Sequence, residues 1–197
     1  SHIQAIAGGQ ADLVCNDNSK PRLMKLQANL KRLNASAEFM LADARHISRR
    51  QLEAFDKILL DAPCSGEGLM SLNARDVSLF DSWSVAHIRR LSDLQKRLIL
   101  EAWRLLKPGG TLVYSTCTMA PEENEAVVDW LLRRQSDAEL MPITITPLPD
   151  RVPVVQSWNN RVLTHDLSGC LRLMPGVLTE AFFVAAFRKT PLAESMV

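Results

Sequence analysis

The sequence has no surplus of either charge: Lys and Arg come to 23 and Asp and Glu to 22, for a formal net charge of +1. No global field pulls it toward nucleic acid, so a polyanion partner has to be held locally. Nor does any apolar run approach the roughly 20 residues that a membrane-crossing helix needs. The stretch Lys57-Ile58-Leu59-Leu60 stops far short, and no secretory leader is read. Cysteine is sparse, and Cys15, Cys64, Cys117 and Cys170 show no CxxC spacing. That argues against a disulfide scaffold or a zinc ribbon and fits a reducing cytoplasm. His46 and His87 lack partners at metal or triad spacing, so both read as structural and no metal is expected. Repeats, low-complexity tracts and interdomain linkers are also missing. What remains, 47% hydrophobic and 23% charged over 197 residues, is the composition of a soluble globular chain with a sizeable core. The expectation is one domain over 1–197, monomeric, cytoplasmic and away from membranes.

Periodicity supplies the elements. Ser1 to Ala7 followed by Gly8-Gly9 reads as the tail of a helix. Asp12 to Asp17 reads as a strand, and Leu23, Leu26, Leu30 and Leu33 mark a helix over 21–33. The alternation repeats with a strand over 38–43, a short helix around 47–52 and a near-continuous apolar strand over 55–61. A strand apolar on both faces belongs in the middle of a parallel sheet. A long amphipathic helix from about Val85 to Leu106 follows, stopped by Lys107-Pro108-Gly109-Gly110. Next come a strand over 111–116 and a helix opened by Pro121, with acids in its first turn. Residues 142–168, with four prolines, read as a long connection. Strands at 171–174 and 182–187 close the chain as an antiparallel hairpin. Such alternation implies an open, doubly wound α/β sheet whose ligands bind at the carboxyl ends of its strands.

Three strands end in acids, Asp17, Asp43 and Asp61. One closing the second strand of a nucleotide-binding half accepts bonds from ribose hydroxyls. Singly, each is also compatible with a solvated carboxylate or a helix N-cap. Asp61-Ala62-Pro63-Cys64-Ser65-Gly66-Glu67-Gly68 is more informative. Pro63 forces an extended exit from the strand, and Gly66 and Gly68 permit close backbone approach to a ligand. Cys64 is thereby held at the sheet edge, and Cys117 ends the neighbouring strand, so both thiols are expected in one cleft. Cys15 and Cys170 read instead as small buried hydrophobes. Arg89, Arg90, Lys96 and Arg97, with Arg49 and Arg50, read first as solvated helix faces and second as contacts for RNA backbone.

Together with Tyr114-Ser115-Thr116-Cys117-Thr118 and Pro121-Glu122-Glu123-Asn124-Glu125, that stretch closely resembles the paired motifs of the Nol1/Nop2/Sun family of RNA cytosine-5 methyltransferases. Asp17 to Arg22, Ala42 to Arg45, Leu94-Gln95, Leu106 to Val113 and Phe182 to Ala185 fall in the family's order, so the likeness covers essentially the whole chain. Glu67 and Trp83-Ser84 resemble the bacterial branch acting on small-subunit ribosomal RNA. The resemblance implies a Rossmann-like fold, S-adenosyl-L-methionine as cofactor and RNA as partner, ribosomal RNA ahead of transfer RNA. It implies Cys117 as the nucleophile toward cytosine carbon 6 and Cys64 as the group that assists release of the product. Asp61 would meet the base edge and lie near the cofactor, with Asp17 on the ribose and Asp43 on the adenine.

One departure stands out: the family's Gly-rich loop and first strand have no counterpart in these residues. The resemblance therefore implies a fragment, inactive alone, an expectation that micromolar S-adenosylmethionine binding in a titration would overturn. Three other readings stay open: a nicotinamide-dependent oxidoreductase, a non-catalytic RNA-binding scaffold of the same fold, and a redox protein cycling Cys64 and Cys117 as a disulfide.

Overall fold

In the computed structural model, residues 2–49, 52–68, 83–145, 150–176 and 179–191 are described. Arg50 falls outside them. The chain forms two compact units, 1–50 and 51–197.

In the first unit, α1 (His2–Ile6) ends as the sequence predicts, with Gly8 and Gly9 at φ +59° and +76°. Buried Gln4 ties the segment down by donating to Ala11 O at 2.9 Å and Ser36 O at 2.8 Å. β1 (Val14–Asp17), α2 (Lys20–Arg32) and β2 (Glu38–Leu41) then make a strand–helix–strand unit, its strands parallel with Asp17 opposite Leu41. Pro21 sits in the first turn of α2, where a missing N–H costs nothing. A 3₁₀ turn over Ala44–Arg49 replaces the short helix expected slightly later.

Among the described residues, the second unit holds a six-stranded sheet with helices over Val85–Leu105 and Glu125–Arg134. Its strands are β3 (Phe55–Asp61), β4 (Leu106–Thr116), β5 (Ala138–Met141), β6 (Arg151–Val152), β9 (Leu171–Leu173) and β10 (Phe182–Lys189). The hairpin β7 (Ser157–Trp158) and β8 (Arg161–Val162) stands apart from it. β3 and β4 are parallel, which requires a crossover, and α3 (Val85–Leu105) supplies it. β10 pairs antiparallel with β4 on one edge and with β9 and β5 on the other. The expected closing hairpin of β9 and β10 is present. The helices α3 and α4 (Glu125–Arg134) pack with the sheet around Trp103, Leu106, Tyr114, Val127, Phe183 and Phe187.

Four expectations need correction. β3 lies at one end of the strand order, and only one of its faces is buried: Ile58 and Leu60 pack on the core, while Leu59, on the alternate face, is 54% exposed. The helix expected to open at Pro121 starts at Glu125, because residues 121–124 form a turn whose polar groups are used elsewhere, as described below. Beyond Arg134, where the periodicity weakens and no strand is expected, β5 forms against β10. And the connection over 142–168 contains β6 and the β7–β8 hairpin, turned by Asn159 and Asn160 at positive φ. The basic run on α3 is solvated: Arg89, Arg90 and Arg97 are exposed and Lys96 pairs with Asp93 at 3.3 Å.

The sheet's far side is tied to α4 by a buried ion pair. Arg172 on β9 donates to Glu125 at 2.9 and 3.1 Å and to the carbonyl of Met119, and Val155 N–H donates to the same carboxylate at 3.1 Å. Arg172→Met would strand Glu125 as a buried anion without its cation. The expected loss is about 3–5 kcal/mol of folding stability, read as a lowered urea midpoint with an unchanged slope.

Candidate active site

The parallel register of β3 and β4 sets Asp61 opposite Ser115 at the carboxyl end of both strands. Ser115 Oγ donates to Asp61 at 3.1 Å, and Ala62 N–H continues the ladder to Ser115 O at 2.9 Å. Past that point the two chains separate, β3 through Pro63 to Cys64 and β4 through Thr116 to Cys117. Both thiols turn inward, and their sulfur atoms stand 3.1 Å apart. Neither is in a disulfide, and both are partly buried. The expectation of two thiols in one cleft is met.

The loops carrying them are stitched together at many points. Gly68 N–H donates to Cys117 O at 3.0 Å. A Cβ at Gly68 would lie 2.6 Å from Ala181 O and 2.9 Å from Cys117 O, so only glycine permits this approach. Ser65 and Thr118 hydroxyls meet at 2.8 Å. Glu67 accepts from Thr118 Oγ1 and Met119 N–H, both at 3.2 Å, and from Trp83 Nε1 at 2.8 Å. Asn124 accepts from Thr116 Oγ1 and donates to Thr118 O at 2.9 Å, gripping the residues on either side of Cys117. Buried Glu123 accepts from Ser65 N–H and from Gln95 Nε2. These side chains are spent on loops, which is why 121–124 is not the first turn of a helix. Sequence reasoning assigned Glu123 to a helix dipole and Gln95 to a family motif; their joint task needs a contact between residues 28 apart.

The two thiols differ electrostatically. The hydrogen bond between the two sulfurs holds Cys117 below the ordinary thiol range despite its partial burial and the negative charges of Glu180 and Asp61. The same bond, with burial, drives Cys64 far above that range, although the N–H groups of Cys117 and Gly66 also face its sulfur. Burial raises Cys15 and pushes Cys170 up to about 12. Only a thiolate is nucleophilic, so iodoacetamide at neutral pH is expected to modify Cys117 before the other three. Peptide mass mapping after brief exposure checks the order. Alkylation of Cys64 first would reverse the assignment.

The other two sequence-predicted acids belong to the first unit. Asp17 ends β1 and Asp43 lies just past β2, so both stand at the carboxyl edge of that parallel pair. Asp17 Oδ1 accepts from Ser19 N–H at 2.7 Å and from Arg22 at 3.0 and 3.2 Å. Asp43 is gripped by Arg45, with Nη2 at 2.6 Å, which brings its carboxyl down to about 2. Both are thus held as oriented anions on the strand edge where α/β folds take nucleosides. A ribose diol or an adenine amine suits such acceptors, so the donor set fits a nucleoside cofactor. Among the described residues no group of His, Cys, Asp and Glu could hold a metal ion, and no helix is long and apolar enough to cross a membrane.

Comparison with known proteins agrees. The family described as 16S rRNA methyltransferase RsmB/F matches residues 1–188. A tRNA (cytosine(49)-C(5))-methyltransferase of Pyrococcus abyssi is 40% identical over 179 residues, covering 90% of this chain and 55% of that protein. Ribosomal RNA small subunit methyltransferase F of Aeromonas salmonicida is 38% identical over 191 residues, covering 96% of this chain and 37% of that protein. Among solved structures, NSun6 from Pyrococcus horikoshii with SFG, an S-adenosylmethionine analogue, aligns over 97% of this chain and 44% of its own. Its TM-score is 0.80 at 30% identity. A methyltransferase homolog protein from Pyrococcus horikoshii reaches 0.75 at 33% identity, over 92% of this chain and 54% of its own. The chain therefore spans about half the length of the archaeal enzyme it matches, and less of the bacterial one. The fold is the Rossmann-like fold of S-adenosylmethionine-dependent methyltransferases, as the resemblance implies. On a match to residues 1–188 and to a relative 40% identical, the chain belongs to the 16S rRNA methyltransferase RsmB/F family.

Proposed function

We propose that this chain carries the catalytic centre of an RNA (cytosine-5-)-methyltransferase acting on ribosomal RNA, with Cys117 as its covalent nucleophile. The observation that carries the reading is the pair of unlike thiols 3.1 Å apart at adjacent strand tips.

Carbon 5 of cytosine is a weak nucleophile, and adding a nucleophile at carbon 6 makes it a strong one. Cys117, the more acidic of the two thiols, would form the sulfur–carbon 6 bond and push the ring's π electrons onto carbon 5. Asp61, oriented by Ser115, would hydrogen-bond the base edge and favour a proton on ring nitrogen 3 as that charge develops. When bound, S-adenosylmethionine supplies an electrophilic methyl group and leaves as a neutral thioether. Transfer of the carbon 5 proton to solvent water would then restore the carbon 5–carbon 6 double bond and expel Cys117 as a thiolate. Cys64 would steady the departing sulfur through the same S–H bond seen at rest. Asp17 would hold the cofactor ribose and Asp43 its adenine, while Asp61 would also lie near the cofactor. The target base has to be unstacked to enter such a site.

The test is transfer of labelled methyl from S-adenosylmethionine, by a complete enzyme that contains these residues, to small-subunit ribosomal RNA and to transfer RNA, followed by nuclease digestion. Label in 5-methylcytidine from ribosomal RNA is the expected result. Label only in transfer RNA would move the substrate, and label in neither would remove the activity. The family's naming for 16S rRNA and the bacterial relatives support ribosomal RNA, and the archaeal transfer-RNA enzyme is the competing precedent.

A further inference from the structure

Glu123 is a fully buried carboxyl that the chemistry above leaves without a task. Burying a carboxylate is costly, and its hydrogen-bond donors here are neutral, so burial pushes its acidity toward the protonated side. What it touches is specific. Ser65 N–H donates to its two oxygens at 3.0 and 3.3 Å, and Gln95 Nε2 donates at 2.8 Å. The same Gln95 nitrogen donates to Pro63 O at 2.8 Å. Cys64 is thereby bracketed: the residue before it is held by its carbonyl and the residue after it by its N–H, both on one Gln95–Glu123 pair. Pro63 has no N–H of its own, so these are natural handles on a loop that cannot join a ladder. The pair is itself fixed. Tyr114 OH donates to Glu123 O at 2.6 Å, and the next residue, Asn124, grips Thr116 and Thr118 around Cys117.

We propose that Glu123, acting with Gln95, is a positioning residue that fixes the Cys64 sulfur against the Cys117 sulfur. Its consequence for methyl transfer rests on the function proposed above, but the geometry does not. A hydrogen bond between two thiols is short-ranged and directional, so a small drift of the Cys64 loop breaks it. Cys117 then loses the leading source of its acidity. Glu123 touches neither sulfur and would act only through the loop it holds.

The experiment is alkylation of the chain by iodoacetamide across a pH series, with Cys117 followed by peptide mass. In Glu123→Ala the Ser65 N–H and Gln95 Nε2 both lose the oxygen they share, and the clamp opens. The Cys117 rate at neutral pH is expected to fall about threefold, its midpoint rising by about one pH unit while the more basic thiolate recovers part of the loss. Asp129→Asn is the control: that carboxylate is also buried but holds Thr164 and His165, away from both thiols. It is expected to leave the Cys117 profile in place. An unchanged profile in Glu123→Ala overturns the proposal, as does an equal shift in both variants, which would mean general loosening. Should Glu123→Ala fail to fold, Gln95→Ala removes the shared donor while leaving the carboxylate, and is judged by the same two outcomes. Alkylation needs neither RNA nor S-adenosylmethionine, so a failure here and a failure to methylate cytosine are separate results.

Discussion

Cys117→Ala in a complete enzyme is expected to abolish methyl transfer to cytosine carbon 5, lowering the single-turnover rate by on the order of 10⁴-fold or more, as loss of a covalent nucleophile does elsewhere. The size of the effect follows from the lack of a substitute. Without addition at carbon 6, carbon 5 stays part of the aromatic ring and cannot take up a methyl group at a useful rate. Cys64 cannot take over, because burial still keeps it a thiol and its loop is held in place through Pro63 and Ser65. Removing Cys117 takes away the acceptor for the Cys64 proton but supplies no cation to stabilise a Cys64 thiolate. RNA binding, which draws on other contacts, should be little changed. The check is single-turnover incorporation of labelled methyl alongside a filter-binding titration. Turnover at the unmodified rate would refute covalent catalysis by Cys117, and loss of binding in parallel with loss of turnover would mean that the substitution damaged the fold.

The pair of thiols was legible in the sequence because strand ends are. β3 and α3 coincide with their expected spans to within a residue, since a compact apolar run between polar ends and about six turns of 3.6-residue spacing leave little room for error. Placing Cys64 and Cys117 at neighbouring tips then needed only the parallel crossover between β3 and β4. What escaped was set by distant partners. β5 is a four-residue strand whose reason for existing is the free edge of β10, far along the chain. The turn over 121–124 looked like a helix start by its Pro and acids, and Tyr114, Thr116 and Thr118 override that local preference by claiming Glu123 and Asn124. Burial of only one face of β3 was equally out of reach, because apolar content does not say which face finds a neighbour. Glu123 carries the general lesson for this site: a carboxylate set between Glu122 and Glu125 gives no local sign that it will be the one holding the Cys64 loop.

Cys64→Ala should leave a covalent protein–RNA adduct standing, visible as a slow-migrating band on a denaturing gel. At first sight the substitution ought to harm both halves of the cycle, since the Cys64 S–H bond both acidifies Cys117 and steadies it as it leaves. The halves respond unequally. Raising the Cys117 pKa lowers its thiolate fraction, but a more basic thiolate is also a better nucleophile, with a Brønsted coefficient of roughly 0.4–0.5, so part of the loss on attack is recovered. Departure has no such compensation: a more basic sulfur is a poorer leaving group, and the proton donor that faced it at 3.1 Å is gone. Formation of the adduct slows modestly while its breakdown slows more, and the bound state accumulates. The band should depend on Cys117, vanishing in the Cys64→Ala/Cys117→Ala double variant. A Cys64→Ala protein that turns over freely, or that shows no band while Cys117 is intact, would mean that Cys64 has no part in release and that the 3.1 Å contact serves only to tune attack.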